Sequence, residues 1–123
     1  MTVSNITNKN YYIVLISIHG LIRNHDLELG HDADTGGQIL YVIELARALA
    51  RHPDVARVDL LTRRVVDAKV DQDYAQSEES LGDGANLIRL DCGPRRYLRK
   101  EVLWPHLPGF IDQALHHIRS VGH

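Results

Sequence analysis

The chain is 123 residues long, has a formal net charge of −2 and contains 44% hydrophobic and 24% charged residues. That size allows one small domain or part of a larger one, and the charge gives no support for bulk nucleic-acid binding. Cys92 is the only cysteine, which excludes an internal disulfide and fits a reducing cytoplasm. No apolar run approaches the roughly 20 residues of a membrane span. We therefore expect a cytoplasmic protein without membrane or nucleic-acid partners.

The first half of the chain predicts a strand, a glycine turn and a helix. Residues 1–10 form a polar N-terminal tail without the apolar core of a signal peptide. The apolar, β-branched run Tyr12–Ile18 is typical of a strand buried on both faces, as in a parallel sheet. A long polar loop, Leu21–Asp34, leads through two glycines to an amphipathic helix over Ile39–Ala50. Loops of that length usually either carry function or are disordered.

The second half predicts two more strands and a helix. The strands are Val55–Thr62 and Asn86–Leu90, separated by an acidic surface excursion, Val65–Gly84, that is without an assigned element. A basic loop, Gly93–Lys100, follows. The last element is a helix over Pro108–Val121, with proline in its first turn.

The order of these elements predicts an α/β fold with a Rossmann-like parallel sheet. We expect the strands to be parallel and adjacent, with the first strand in the middle. A sheet of three strands leaves apolar edges to cover, so we interpret residues 11–123 as a partial domain of a larger protein.

The segment Asp34–Gln38 indicates a site for a negatively charged ligand. Gly36 and Gly37 lack a Cβ, so a ligand can approach the backbone closely. Their N–H groups lie at the positive end of the following helix, where phosphate binds favourably. Two alternatives stay open. One is a glycine turn without a ligand, and the other is an NADP site in which Arg63 and Arg64 bind the 2′-phosphate, although the G-x-G-x-x-G spacing is missing.

The basic loop indicates a second anion site. Arginine binds phosphate with a planar fork and lysine acts as a point charge; the cations of the loop are Arg95, Arg96, Arg99 and Lys100. The loop follows a strand of the predicted parallel sheet, so it opens on the same rim as Gly36. The alternative is a solvated surface loop.

Histidines do not predict a metal site, because no paired ligand spacing occurs among them. His19 ends the first strand and is the histidine most consistent with a function, the alternative being a rim residue hydrogen-bonded to the backbone. The acidic cluster around Asp71 lacks the spacing of a calcium loop and is interpreted as a solvated face.

A set of sequence blocks from about Tyr11 to the C-terminus carries a family resemblance: Tyr12–Arg23, Glu28–Gly30, Asp32–Gln38, Tyr41–Ala50, Val58–Arg63, Gly93–Arg95 and Lys100–Pro105. These blocks closely resemble the start of the glycosyltransferase region of sucrose-phosphate synthases. Sucrose synthase, a related family, shares Asp34–Gln38, whereas Ser17–Arg23 is more similar to the phosphate synthases.

The resemblance implies the incomplete N-terminal domain of a GT-B glycosyltransferase, a fold of two Rossmann-like domains with the active site between them. It implies glucosyl transfer with retention from UDP-glucose to fructose 6-phosphate, giving sucrose 6-phosphate and UDP. Gly36 and Gly37 then bind the donor diphosphate, and Gln38 and Lys100 match acceptor positions. No cofactor is implied. Magnesium is compatible with this chemistry, but these residues do not indicate it.

The chain departs from the family pattern in two respects. The basic loop is slightly shorter, with Arg99 where proline is common. The family's His-Gly-His segment and paired glutamates are absent, so we expect no catalytic residue within this chain and no activity from it alone. Two functional alternatives remain: a sucrose synthase with free fructose as acceptor, and a non-catalytic sugar-phosphate-binding module.

Overall fold

A computed structural model describes residues 11–19, 21–23 and 36–121, with only the backbone for residues 36–38. The polar tail 1–10, most of the predicted loop Leu21–Asp34 and the side chain of Gln38 lie outside the described residues.

The fold is a four-stranded mixed sheet with a helix on each face. The strands are β1 (Tyr11–Ile16), β2 (Val55–Arg63), β3 (Glu78–Gly82) and β4 (Ala85–Leu90), in the order β1-β2-β4-β3. β2 pairs in parallel with both β1 and β4. The predicted α/β class with a parallel core is thereby confirmed, as are all three predicted strands.

The predicted position of the first strand is wrong. β2 lies between β1 and β4, whereas β1 is at one edge of the described sheet. An unbroken apolar run indicates that both faces of a strand are covered, but it does not indicate which strands pair with its two edges. At this edge Tyr11 and Ile16 are 59% and 60% exposed.

The acidic excursion contains a strand that the sequence analysis did not predict. β3 pairs antiparallel with β4 at the other edge of the sheet. The hairpin turns through three residues with positive φ, Gly82, Asp83 and Gly84, and Asp-Gly is a typical hairpin dipeptide. The charged composition obscured β3, because on an edge strand only the inward side chain, Leu81, is buried.

The helices are α1 (Gly36–Ala50) and α2 (Leu107–Ser120). α1 begins at the glycine pair, three residues before the predicted start, and its predicted apolar stripe packs on one face of the sheet. α2 packs on the opposite face through Phe110 and Ala114, with Pro108 in its first turn as predicted. The short 3-10 turns Gln72–Ala75, Lys100–Val102 and Trp104–His106 complete the elements.

Tyr74 joins the excursion to the sheet. Tyr74 is 1% exposed, and two guanidinium groups approach its ring, Arg23 at 5.1 Å and Arg89 at 5.9 Å from the centroid. Arg23 pairs with Asp73, and Arg89 pairs with Glu79 and donates to the carbonyl of Ile22. Cation–π contacts between desolvated groups stabilise such an arrangement. The segment after β1 is therefore fixed against the excursion.

Asp59 is a fully buried carboxylate on the face of β2 that α2 covers. Its Oδ2 accepts from the Tyr12 hydroxyl at 2.6 Å and lies 2.8 Å from Nε2 of His117. Its Oδ1 accepts from Arg57 at 2.9 Å and from Asn86 at 3.2 Å. One side chain thus joins three neighbouring strands and the C-terminal part of α2.

The surroundings of Asp59 favour its charged form. Burial alone raises the pKa of the carboxyl, but hydrogen bonds from Arg57, Tyr12, His117 and Asn86 together outweigh burial and lower it. Burial, the hydrogen bond to Asp59 and its negative charge correspondingly raise the pKa of Tyr12.

We expect Asp59→Ala to lower the free energy of unfolding by about 3–5 kcal/mol, because it leaves buried donors around an empty acceptor site.

Since the folded pKa of Asp59 is lowered, the contribution of the carboxylate to stability is complete above its unfolded pKa, ~3.9, and is lost as pH falls through the folded value. Asp59→Asn should therefore flatten the acid limb of stability against pH. Urea unfolding at several pH values measures both effects. Exposed Asp112→Asn on α2 is the control, and an equal acid limb in Asp59→Asn and the unchanged protein would contradict this account.

Candidate functional site

The carboxyl ends of β1, β2 and β4 meet at one rim of the sheet, because these strands are mutually parallel. Three segments leave the rim: Ser17–His19 after β1, Arg63–Val65 at the end of β2, and the basic loop Gly93–Lys100 after β4. α1 returns the chain to the start of β2, so the N-terminus of α1 belongs to the same rim. Ligands of open α/β sheets bind at such an edge.

The backbone of the basic loop is fastened to the segment that follows β2. The carbonyl of Arg95 accepts from the amide of Val66 at 2.7 Å, and the amide of Tyr97 donates to Oδ2 of Asp67 at 3.1 Å. Arg63 donates to the carbonyls of Pro94, at 2.9 Å, and Arg96. The loop is therefore a defined structure, although its arginine side chains are exposed.

The loop begins at a glycine that another element approaches closely. Gly93 has φ +64°, and a Cβ built there would lie 2.5 Å from Nδ1 of His106. His106 belongs to the 3-10 turn Trp104–His106 that leads into α2. A glycine is thus required both by the left-handed backbone and by the contact.

A cavity of about 110 Å³ opens at the rim between the end of β1 and the turns before α2. Its walls include His19 and Lys100, and its other lining residues are Ile18, Leu103, Trp104 and Leu107. Its walls are mostly apolar, and His19 and Lys100 are the polar side chains among them. Trp104 is 71% exposed at this cavity.

His19 is nearly buried, at 9% exposure. The Tyr97 hydroxyl lies 3.3 Å from Nε2 of His19, and the two ring centroids are 5.8 Å apart. The hydrogen bond links the end of β1 to the basic loop. His19 is thus held by a side chain, rather than only by the backbone as in the alternative interpretation.

The two arginines of the NADP alternative are engaged with protein groups. Arg63 donates to the basic loop, while Arg64 donates to the carbonyl of Ala75 at 2.6 Å and pairs with Asp91 at 3.2 Å. An NADP site needs these guanidinium groups to bind the 2′-phosphate. In the structure both groups donate to protein acceptors instead, so the structure does not support the NADP alternative.

The predicted site residues fall into two groups. Lys100 lines the rim cavity, together with His19. Gly36, Gly37 and Gln38 form the first turn of α1, and the Gln38 side chain lies outside the described residues. Sequence reasoning missed the fastening role of Arg63 and the contact of Tyr97 with His19. Arg63 ends the family block Val58–Arg63, but a sequence block does not show which groups a side chain contacts after folding.

Other chemistry finds little support in the described parts of the chain. Within them, no three side chains of the His, Cys, Asp and Glu types gather as metal ligands. Cys92 is buried, and its burial raises the pKa of the thiol, which disfavours the reactive thiolate. No helix among these residues has the length and apolarity needed to cross a bilayer.

Plant sucrose-phosphate synthases are similar to the chain along almost its whole length. Identity is 52% over 132 residues with probable sucrose-phosphate synthase 5 of Oryza sativa subsp. japonica and 51% over 124 residues with sucrose-phosphate synthase 4 of Arabidopsis thaliana. Each alignment covers 94% of this chain but only 13% and 12% of the respective relatives. The chain therefore spans a small part of the length of the proteins it matches.

A solved structure gives the same result. Sucrose-phosphate synthase from Thermosynechococcus elongatus matches with a TM-score of 0.71 and 30% identity, over 91% of this chain and 25% of that one. No protein-family model matches the chain. The resemblance found in the sequence and the α/β fold are confirmed by these comparisons.

We expect Gly93→Ala to destabilise the protein by about 1–2 kcal/mol, the cost of a left-handed backbone in a residue with a Cβ. The contact with His106 adds to this cost. Thermal unfolding of Gly93→Ala, His106→Ala and the double variant separates the backbone strain from the steric contact. His106→Ala removes the contact with the new Cβ but leaves the left-handed backbone of residue 93 unchanged. Gly109→Ala is the control, since its Cβ would meet only Cys92 at 3.9 Å. Full recovery of stability in the double variant would contradict the backbone argument.

Proposed function

We propose that this chain, whose homologues along 94% of its length are sucrose-phosphate synthases, forms part of the acceptor-side domain of such an enzyme. In the complete protein it binds fructose 6-phosphate, while UDP-glucose donates the glucosyl group with retention in a GT-B arrangement of two domains. The observation that carries the proposal is the rim cavity, in which Lys100 and His19 lie together beside the fastened basic loop.

The charge of the rim supports a phosphorylated acceptor. Arg95, Arg96 and Arg99 are exposed and form no ion pair with any residue that the structure describes. Arginine and lysine bind phosphate through charge-assisted hydrogen bonds. A free sugar has no charge for these side chains to neutralise, which favours fructose 6-phosphate over fructose.

The first turn of α1 supports a role at the donor diphosphate. Its backbone begins at Gly36, so the free N–H groups of a 15-residue helix start at the glycine pair. Such donors stabilise charge that develops on a leaving diphosphate. We place Gly36 and Gly37 under the diphosphate and Gln38 at the acceptor, and we infer that catalysis needs segments of the longer protein.

Lys100→Ala in the full-length protein should weaken fructose 6-phosphate binding and leave UDP-glucose binding nearly unchanged. A hydrogen bond to a charged group contributes about 1.5–3 kcal/mol, which corresponds to roughly a tenfold to hundredfold loss of acceptor affinity. Acceptor and donor KM values at one ionic strength, with acceptor binding by calorimetry, measure the effect.

Arg119→Ala is the control, because Arg119 is an exposed cation near the C-terminal end of α2, outside the rim cavity and the basic loop. Free fructose separates the two acceptors. If Lys100 contacts the phosphate, fructose binding changes less than fructose 6-phosphate binding. An unchanged fructose 6-phosphate constant in Lys100→Ala would favour the alternative that the basic loop is only a solvated surface loop. It would also remove the main reason to prefer a phosphorylated acceptor.

Gly37→Val in the full-length protein should abolish transfer while leaving the fold largely intact, since the new side chain occupies space that the diphosphate needs. Ala48→Val is the control, because it places the same β-branched residue at an exposed position of α1. Circular dichroism confirms folding and a coupled assay measures turnover. Near-normal turnover of folded Gly37→Val would show that the glycine pair has only a structural role.

A further inference from the structure

Within the part of the chain that the structure describes, Arg63 differs from the other buried arginines in having no carboxylate partner. It is 4% exposed at the carboxyl end of β2. Arg23, 9% exposed, pairs with Asp71 and Asp73, and Arg89, 3% exposed, pairs with Glu79. Across residues 11–19, 21–23 and 36–121, no acidic group forms an ion pair with Arg63. A buried charge without a counter-ion is costly, so its presence calls for a reason.

The fork of Arg63 binds the basic loop by its backbone. Nη1 donates to the carbonyl of Pro94 at 2.9 Å and Nη2 donates to that of Arg96. Between them, the carbonyl of Arg95 accepts from Val66. Three consecutive carbonyls are thus tied to the segment at the end of β2, and the side chains of Arg95 and Arg96 are left exposed.

Guanidinium geometry makes this contact specific. Its donors are rigid and planar, so one side chain can bind two carbonyls at a fixed spacing, whereas a lysine offers a single point charge. Burial is the main cause that lowers the pKa of Arg63, and the nearby Arg96 acts in the same direction. Because an arginine stays protonated in proteins, its positive charge remains beneath the loop.

Arg63 also lies close to the rim cavity. It lines a second, smaller cavity of about 10 Å³ whose walls include Tyr97 and Val65. That cavity shares three wall residues with the one that contains Lys100: Ile18, His19 and Leu103. A displacement of Arg63 would therefore disturb residues that also line the rim cavity.

We propose that Arg63 is a positioning residue for the acceptor: it fixes the basic loop in the conformation that presents its cations to the phosphate of a sugar phosphate. The inference rests on the proposed function. The role assigned to Arg63 is to hold the loop rather than to contact the substrate, because the residue is only 4% exposed and both of its terminal nitrogens donate to loop carbonyls.

The test compares Arg63→Met and Arg63→Lys with Arg64→Met in the full-length protein. Arg64 is the control, since it too donates to a backbone carbonyl at the end of β2, but to that of Ala75, and it pairs with Asp91. Arg63→Met should raise the KM and Kd for fructose 6-phosphate about tenfold or more, the effect of losing charge-assisted contacts. The KM for UDP-glucose should stay within about twofold, and kcat at saturation should change little.

Arg63→Lys should give an intermediate acceptor constant, because lysine keeps the charge and one carbonyl bond but not the fork. A purely structural role predicts another pattern: donor and acceptor constants worsen together with thermal stability, and this result would overturn the inference. Calorimetry with fructose 6-phosphate and with fructose distinguishes a failure of the proposed function from a failure of the inference about Arg63. Equal binding of both sugars by the unchanged protein would overturn the proposed function and the inference together, whereas phosphate selectivity that persists undiminished in both Arg63 variants would overturn the inference alone.

Discussion

The parallel pairing of β2 with both of its neighbours is the constraint on which the rest of the structure depends. Parallel strands bring their carboxyl ends to one edge, so the end of β1, the end of β2 and the basic loop after β4 are neighbours in space. The rim cavity exists only because residues as distant in sequence as His19 and Lys100 leave the sheet at this edge. Antiparallel pairing of β1 with β2 would place His19 at the opposite edge.

Polar groups inside the sheet keep these strands in register. Asp59 binds donors from β1, β4 and α2 at once, and a fully buried carboxylate is tolerated only with such a complete set of partners. The arrangement also makes the position of α2 dependent on the sheet, because His117 is one of those partners. α2 follows directly from the turn that carries Trp104. The contact of Asp59 with the C-terminal part of α2 therefore helps to hold the helix whose N-terminal end forms one wall of the rim cavity.

Buried arginines divide the molecule into a structural part and a part suited to anions. Around Tyr74, the charges of Arg23 and Arg89 are neutralised by nearby carboxylates, and the cluster holds the excursion to the sheet. At the rim, the partners of the Arg63 guanidinium among the described residues are carbonyls, and the exposed arginines of the loop add to its positive charge. This grouping of cations favours an anion at the rim, in agreement with the proposed sugar phosphate.

The sequence by itself determined the α/β class, the three parallel strands and both helices, because periodicity and glycine placement are local signals. It also indicated candidate site residues through the family motifs: Gly36, Gly37, Gln38 and Lys100. It also determined the family resemblance, which the comparisons confirm. The tertiary structure alone decided that β1 lies at an edge, that an acidic segment contributes β3, and that Arg63 fastens the basic loop instead of facing a nucleotide. The edge position of β1 and the contacts of Arg63 depend on which distant segments become neighbours after folding. β3 does carry a local signal, the Asp83-Gly84 turn, but its charged composition obscured it. The edges of strands, the partners of buried charges and the contacts across a loop are set by residues that are distant in the chain, and no local pattern encodes them.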